Sequence, residues 1–142
     1  MNSMVVSGKR KTAVAKATIV DGTGVVTFNK KPLTFLSNLQ QLEISEPLII
    51  AQDVLSPRDD SGEPGELKFD IAINVVGGGS AAQVEAARLA IAKAIVKFTG
   101  NEDVRNAFLA YDRNLLIADT RRKEACKPGD SKARANRQTS FR

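Results

Sequence analysis

The sequence contains no histidine and a single cysteine, Cys126, among its 142 residues. The absence of histidine removes the commonest general base of enzymes and the commonest metal-ligating side chain. One cysteine excludes a disulfide within the chain and a cysteine-rich metal cluster. The composition therefore weighs against an enzyme and predicts neither a metal nor another cofactor. A lone thiol is typical of a protein in the reducing cytoplasm.

Long apolar runs are also lacking. No stretch of about 18 or more apolar residues occurs, so the sequence predicts no membrane-spanning helix. Residues 1–14 (MNSMVVSGKRKTAV) contain no apolar segment of the signal-peptide type. We therefore expect a cytoplasmic protein, and the length fits one domain with an additional arm.

Positive charge is concentrated at one end of the chain. Residues 121–142 contain eight Lys or Arg and two acids, about +6, whereas residues 1–120 contain 13 bases and 14 acids, or −1. Residues 121–142 have no apolar period, so burial could not offset the entropy lost on ordering them. We predict a globular body over residues 1–120 and an extended basic arm over residues 121–142. The basic residues of this arm are Arg121, Arg122, Lys123, Lys127, Lys132, Arg134, Arg137 and Arg142.

An arm of this kind suits a polyanion, because its Lys and Arg side chains can neutralise phosphates. A solubilising segment or a membrane-surface segment is the alternative. The arm lacks the apolar face of a membrane-surface helix, which favours nucleic acid as the partner.

Three segments have the two-residue period of a β-strand. Small apolar side chains recur at alternate positions of residues 12–20, and larger ones do so in residues 68–76. A turn-forming cluster at residues 21–24 separates the first of these from a further strand at residues 24–29. We therefore expect residues 12–20 and 24–29 to pair as an antiparallel hairpin.

Two helices are predicted in the second half of the chain, over residues 81–98 and from residue 101 or 102 to about 111. Earlier, residues 33–36 and 38–46 predict short helices, with Pro47 either breaking the helix or beginning another segment. Residues 48–51 fit a helix end or a strand, and residues 115–118 fit a strand or a segment that plugs the edge of the core. These elements predict an α/β or α+β class with a small mixed sheet and helices on one face.

Lys9, Arg10 and Lys11 follow Gly8, and no acidic residue precedes Asp21. Three consecutive bases are compatible with a solvated loop. Together with the basic arm, they are better explained as a second contact with phosphates.

The segment Gly77-Gly78-Gly79 follows a predicted strand and precedes a predicted helix, and with Ala82 it matches a relaxed dinucleotide-binding fingerprint. A dinucleotide site also needs a second parallel strand that ends in an acid, and no clear one follows the helix. A close-packed turn, or a contact of RNA phosphate with the helix N-terminus, fits the segment better.

Two aromatic side chains, Tyr111 and Phe141, could stack on nucleic-acid bases. Tyr111 lies on the apolar side of a predicted helix, so core packing is the alternative for it. Phe141 has no core within obvious reach.

Four motifs follow one another in the order found in a known family. Residues 7–15 (SGKRKTAVA) look like G-[KR]-[KR]-K-T-A-x-A, and residues 29–33 (NKKPL) look like N-G-[RK]-P-L. Residues 76–79 (VGGG), with Gln83, look like V-x-G-G-G…Q. Residues 111–142 look like the C-terminal part of archaeal and eukaryotic members. The chain therefore resembles the ribosomal protein S-nine family, the universal protein nine of the small subunit.

This resemblance implies a left-handed βαβ fold with a four-stranded sheet, similar to the second domain of ribosomal protein S-five. It implies a structural RNA-binding protein of the small subunit and not an enzyme. Its body would bind the head (3′ major) domain of the ribosomal RNA beside neighbouring head proteins. The expected body contacts are Lys9, Arg10, Lys11, Gly77, Gly78, Gly79 and Arg113.

The resemblance also implies that the arm threads through the RNA of the head, where its bases act as counter-charges. Its tip, with Ser140, Phe141 and Arg142, would approach the anticodon stem-loop of the transfer RNA in the peptidyl site. Asn136 and Thr139 stand where relatives often carry Lys, and Asp130 adds an acid, so the last residues are less basic than in those relatives. A free-standing nucleic-acid-binding module, or a nucleotide-dependent enzyme using the Gly77–Ala82 loop, are the alternative functions.

Overall fold

The computed structural model describes residues 3–56 and 67–126. The strands are β1 (Ser3–Arg10), β2 (Ala13–Asp21), β3 (Val26–Phe28), β4 (Lys31–Pro32) and β5 (Phe69–Val76). The helices are α1 (Asn38–Leu55), α2 (Ser80–Thr99) and α3 (Glu102–Tyr111), with 3-10 turns at Leu33–Phe35 and Arg113–Leu115. The predicted strand at residues 68–76 and the two predicted helices of the second half are confirmed.

The strands form one mixed sheet in the order β1-β2-β5-β3-β4. β3 and β5 are parallel and are connected through α1, whereas the other neighbouring pairs are antiparallel. The mixed class is therefore confirmed, and the left hand of the βαβ connection stays a prediction. The expected number of four strands is wrong. The sequence analysis predicted neither β1 nor the two-residue β4, and β1 is hard to recognise because only Val6 and Gly8 among its residues are buried.

The predicted hairpin between β2 and β3 is also wrong, because β5 lies between them. The turn after β2 crosses the start of β5 and is bound to it, so the chain does not fold back beside β2. Asp70 of β5 accepts hydrogen bonds from the backbone N–H groups of Val25 and Thr23, at 2.9 and 2.8 Å, and these lower the pKa of its carboxyl. A Cβ at Gly22 would lie 2.1 Å from the Asp70 Cγ, so a larger residue there would displace the carboxylate that holds this crossing.

The core lies between one face of the sheet and α2. Alternate residues of β2 and β5 are buried there, whereas the opposite face is exposed or half-buried. α2 contributes many alanines to this contact, and small side chains let a helix approach a sheet closely. A Cβ at Gly8 of β1 would lie only 2.3 Å from the Ala86 carbonyl oxygen, which shows how close β1 and α2 are.

α1 is a single helix that continues through Pro47, so the predicted break is wrong. It begins with a capping box in which Ser37 and Gln40 bond reciprocally to each other's backbone. Pro47 lacks a backbone N–H, but its ring is buried with Ile44 and Ala51 on the side of α1 that faces the core. Tertiary packing thus outweighs the cost of the missing hydrogen bond.

The segment after α3 is not a strand. Arg113–Leu115 forms a 3-10 turn in which Leu115 is fully buried, so the core-plugging alternative is the correct one. Tyr111, at the end of α3, is 58% exposed and therefore does not pack in the core. Its hydroxyl donates a hydrogen bond of 3.3 Å to Glu46 of α1.

Candidate nucleic-acid interface

The turn between β1 and β2 and the glycine segment after β5 lie against each other. A Cβ at Gly77 would be 2.6 Å from the Thr12 carbonyl oxygen, and one at Gly78 would be 2.8 Å from the Ala13 Cβ. Both glycines have positive φ, 75° and 72°, which L side chains rarely adopt. The fold therefore brings two motifs that are far apart in sequence to one end of the sheet.

Gly79 differs from its two neighbours, because a Cβ there would meet no atom within 4 Å. It is the N-cap of α2, where no side chain caps the helix and no acid lies in the first turn. The positive end of the helix dipole and the free backbone N–H groups suit an anion at this position. Gln83 Nε2 donates to the Gly77 carbonyl oxygen at 3.2 Å and so links the segment to the first turns of α2.

Lys9 and Lys11 carry their charges at the same end of the sheet, and both are exposed. Lys9 lies on the sheet face opposite to α2, where Lys16 of β2 is also exposed. Lys11 lies in the turn and has a positive φ of 52°. Both side chains are therefore open to solvent at the end of the sheet from which α2 begins, with Lys9 on the opposite sheet face.

Arg10, the third base of this motif, has a different environment. Its side chain is only 14% exposed, and its guanidinium pairs with Glu85 of α2 and with Asp119. The Arg10 Nη1 lies 3.1 Å from the Asp119 Oδ2. Of the three consecutive bases, Lys9 and Lys11 are thus directed to solvent, whereas Arg10 joins β1 to α2 and to the segment before the arm.

The arm begins at Arg121, whose side chain binds the carboxylate of Asp119 from the same ion pair. Arg121 Nη2 lies 2.6 Å from the Asp119 Oδ2, and the Arg121 backbone N–H donates to the Asp119 Oδ1 at 2.9 Å. These hydrogen bonds hold the pKa of Asp119 well below its usual value, and Asp119 in turn raises the pKa of Arg121. Arg113, Arg122 and Lys123 are exposed.

A cleft of about 310 Å³, lined by Lys9, Arg10, Asp119 and Arg121 among others, contains both signs of charge. Arg88 of α2 contacts Glu46 at 2.5 Å and Asp112 at 3.2 Å, so it joins α1, α2 and the end of α3. The arginines of the cleft are paired with carboxylates, which suits a structural network more than a phosphate site. No group of His, Cys, Asp or Glu side chains in residues 3–56 and 67–126 could hold a metal ion.

A second basic surface was not foreseen from the sequence. Lys93 and Lys97 of α2 and Arg105 of α3 line a groove of about 590 Å³, and no acid is among its lining residues. On the helix predicted over residues 81–98, Lys93 and Lys97 are simply polar side chains outside the apolar stripe. Their spacing of four residues places them on one helix face. The position of Arg105 beside them depends on how α3 packs against α2, which no local pattern indicates.

Comparison with known proteins identifies the family. A family model described as ribosomal protein S9/S16 matches residues 8–142. The chain belongs to this family. Small ribosomal subunit protein uS9 of Methanococcus vannielii is 41% identical over 138 residues, which cover 95% of each chain. The protein of the same name from Methanococcus maripaludis (strain S2) is 43% identical over 138 residues, again 95% of each chain.

Family membership confirms the resemblance drawn from the four motifs, including its archaeal and eukaryotic branch, since these relatives are archaeal. The family consists of ribosomal proteins and is not a family of enzymes. No helix within the described part of the chain has the length and apolar character needed to cross a membrane. The remaining candidates of the arm lie outside the described residues: Lys127, Lys132, Arg134, Arg137, Ser140, Phe141 and Arg142.

Proposed function

We propose that this protein, a constituent of the small ribosomal subunit, binds the head (3′ major) domain of the ribosomal RNA with its body. Its arm, residues 121–142, then reaches the anticodon stem-loop of the transfer RNA in the peptidyl site. The protein performs no chemistry in this role. It holds RNA segments in a fixed arrangement, which supports subunit assembly and the binding of transfer RNA.

The observation that carries the body's role is the contact of Gly77 and Gly78 with Thr12 and Ala13. Through this contact, Lys11 of the β1–β2 turn and the uncapped N-terminus of α2 lie at the same end of the sheet, and Lys9 lies at that end on the opposite sheet face. An RNA backbone that follows this end can place one phosphate at the backbone N–H groups of α2 and others beside Lys9 and Lys11. These contacts carry no base specificity, so they position the body on the RNA backbone.

The groove beside Lys93, Lys97 and Arg105 supports a second contact of the body with RNA. Like charges four residues apart on a helix repel each other in the free protein. Their repulsion is relieved when a polyanion occupies the groove. The apolar side chains that line it, among them Leu109 and Ile117, can pack against ribose.

The arm contributes most of the charge. Arg121, Arg122, Lys123, Lys127, Lys132, Arg134 and Arg137 act as counter-charges to phosphates, and Arg113 lies close in sequence to the start of the arm. Arg142, with Ser140 and Phe141 beside it, contacts the backbone of the transfer RNA. Because each neutralised phosphate releases counterions, we expect steep salt dependence, with a slope of about −0.7 to −0.9 per contact.

Salt-titrated binding of the full chain to a transcript of the head domain tests the role of the body. Replacing Lys9 and Lys11 by Ala should weaken binding and make the slope shallower by about 1 for each lysine that contacts a phosphate. Lys68→Ala is the matched control, because exposed Lys68 lies just before β5, at the end of that strand opposite Gly77.

Two results would contradict the proposal. The first is an equal loss of affinity for Lys68→Ala and for the Lys9 and Lys11 variant, which would show that only net charge matters. The second is equal affinity of the natural chain for the head domain and for an unrelated transcript of the same length. That result would favour a free-standing nucleic-acid-binding module.

A further inference from the structure

One face of α1 exposes large apolar side chains to solvent. Leu39 is 67% exposed, Leu42 is 64% exposed and Ile49 is 52% exposed. With Glu46 and Asp53, these residues follow the alternating spacing of three and four that places side chains on one side of a helix. We call this set the α1 outer face. The opposite side of α1, with Ile44, Pro47 and Ala51, is buried.

Single exposed apolar residues are normal on a protein surface, whereas several on one helix face mark an interaction site. The α1 outer face is not needed to hold the helix in place, because the buried side already packs against α2 and α3. Leu42 lies between Leu39 and Ile49 along this face and is therefore the middle one of its three exposed apolar residues.

The charge of α1 disfavours RNA as the natural cover for this face. α1 contains Glu43, Glu46 and Asp53 and no Lys or Arg. The Glu46 carboxylate is engaged by Arg88 and Tyr111, but Asp53 is exposed one turn after Ile49. A phosphate backbone lying on the α1 outer face would meet carboxylates of the same sign, which is unfavourable at short range.

The basic groups proposed to contact RNA lie on other elements. Lys9 and Lys11 belong to β1 and its turn, and the groove beside Lys93 belongs to α2 and α3. Near α1, Lys31 lies over the exposed ring of Phe35, 3.9 Å from its centroid, just before the helix begins. Within residues 3–56 and 67–126, these basic regions are thus separate from the α1 outer face, which is apolar and acidic.

We propose that the α1 outer face binds another protein, whose contacting surface has an apolar centre bordered by Lys and Arg. A small ribosomal subunit offers this chain two kinds of macromolecule, RNA and other proteins. The apolar side chains and the acidic border both favour the protein. The proposal rests on the protein's place in the small subunit, as given under the proposed function, but not on its RNA contacts.

Photo-crosslinking in assembled small subunits tests this assignment. A benzophenone amino acid would replace Leu42 in the full chain, and the control chain would carry it at Lys9. The Leu42 adduct should survive ribonuclease and be degraded by protease. Mass spectrometry should place its partner peptide in a segment with an excess of Lys and Arg.

An adduct of Leu42 with RNA, or no adduct at all in subunits that contain the protein, would overturn the proposal. The Lys9 control reports separately on the proposed function. If the chains carrying the crosslinker at position 9 and at position 42 both crosslink to protein, the result counts against the RNA contact of the body. The proposal for the α1 outer face would still be supported.

Charge reversal distinguishes the two kinds of partner by the sign of its effect. Asp53→Lys should lower retention of the chain on small subunits in competition with the natural chain, by about two- to fivefold for one exposed charge pair. If RNA covered α1, the same substitution would raise retention. Glu102→Lys, in the exposed first turn of α3, is the control for net charge. We expect its retention on small subunits to fall less than that of Asp53→Lys.

Leu42→Asp tests the apolar centre, where the few residues whose truncation costs more than about 1 kcal/mol, or about fivefold in affinity, are concentrated in protein interfaces. Because Leu42 is exposed in the free protein, the Leu42→Asp variant should have the same unfolding midpoint in urea as the natural chain. An unchanged retention of Leu42→Asp on subunits would contradict the proposal.

Discussion

Arg10 Nη1 lies 3.1 Å from Asp119 Oδ2, and this ion pair joins the end of β1 to the segment from which the arm begins. Both side chains are about 85% buried, and Glu85 of α2 pairs with the same guanidinium. Asp119 also holds Arg121, the first base of the arm. The direction in which the arm leaves the body is therefore tied to the β1–β2 turn, where Lys9 and Lys11 lie.

The pair between Arg10 and Asp119 predicts a pH dependence of stability. Hydrogen bonds from Arg121 and the charge of Arg10 lower the pKa of Asp119 in the folded state. A lowered pKa stabilises the fold above the ordinary Asp pKa near 3.8, and this contribution is lost as the pH falls below that value. Asp119→Asn should therefore be less stable than the natural chain at pH 7, and the difference should shrink below about pH 4.

Urea unfolding at a series of pH values measures this difference directly. Asp103→Asn, at an exposed position of α3, is a suitable control because it removes one carboxylate from the first turn of a helix. A difference between Asp119→Asn and the natural chain that stays constant down to pH 3 would show that the carboxylate charge contributes nothing.

The glycine segment predicts opposite results for two neighbouring substitutions. Gly78→Ala places a Cβ 2.8 Å from the Ala13 Cβ at a φ of 72°, so it should destabilise the fold by about 1–3 kcal/mol. Gly79→Ala meets no atom within 4 Å and should cost less than about 1 kcal/mol as a change of N-cap. Denaturant unfolding of both variants checks the difference. Equal stabilities would show that the contact between the glycine segment and β2 is not tight.

Long segments with strong periodicity were predictable from sequence, and pairing between segments was not. β5 and α2 keep one period over many residues, so their apolar faces are evident. β1 has an exposed Val5 beside a buried Val6, which obscures its alternation. The pairing of β2 depends on Asp70, which holds the backbone of residues 23 and 25 from a distant strand.

The same limit applies to the candidate interface. The bases of residues 9–11 and the glycines of residues 77–79 were recognised one motif at a time. Their contact follows from the register in which Val14 pairs with Val76, and this is a tertiary feature. The ion pairs of Arg10 with Glu85 and Asp119 depend on the position of α2 and of the chain after α3.

The basic groove predicts a loss of RNA binding without a loss of stability. Lys97→Ala and Arg105→Ala each remove one of three like charges that line the groove, and both residues are exposed. Their stabilities should stay within about 0.5 kcal/mol of the natural chain or rise slightly. Each variant should bind the head-domain transcript with a salt slope that is shallower by about 1.

The comparison needs a variant that removes a base elsewhere, and Lys68→Ala serves again. An unchanged salt slope for Lys97→Ala and Arg105→Ala would show that the groove does not contact phosphates. A strong destabilisation of either variant would instead show that its side chain supports the packing of α3 on α2.

The tip of the arm predicts a separation between assembly and transfer RNA binding. Deleting residues 140–142 removes one base of the arm's eight, so most of its charge for ribosomal RNA is retained. Incorporation of the shortened chain into small subunits should therefore match that of the natural chain. Binding of transfer RNA in the peptidyl site should weaken, because Arg142 and its neighbours supply that contact in the proposed function.

Filter binding of transfer RNA to purified subunits measures the effect. Asn136→Lys is the complementary variant, since an added base near the tip should strengthen binding. Failed incorporation of the shortened chain, or unchanged transfer RNA affinity in both variants, would contradict this division of roles.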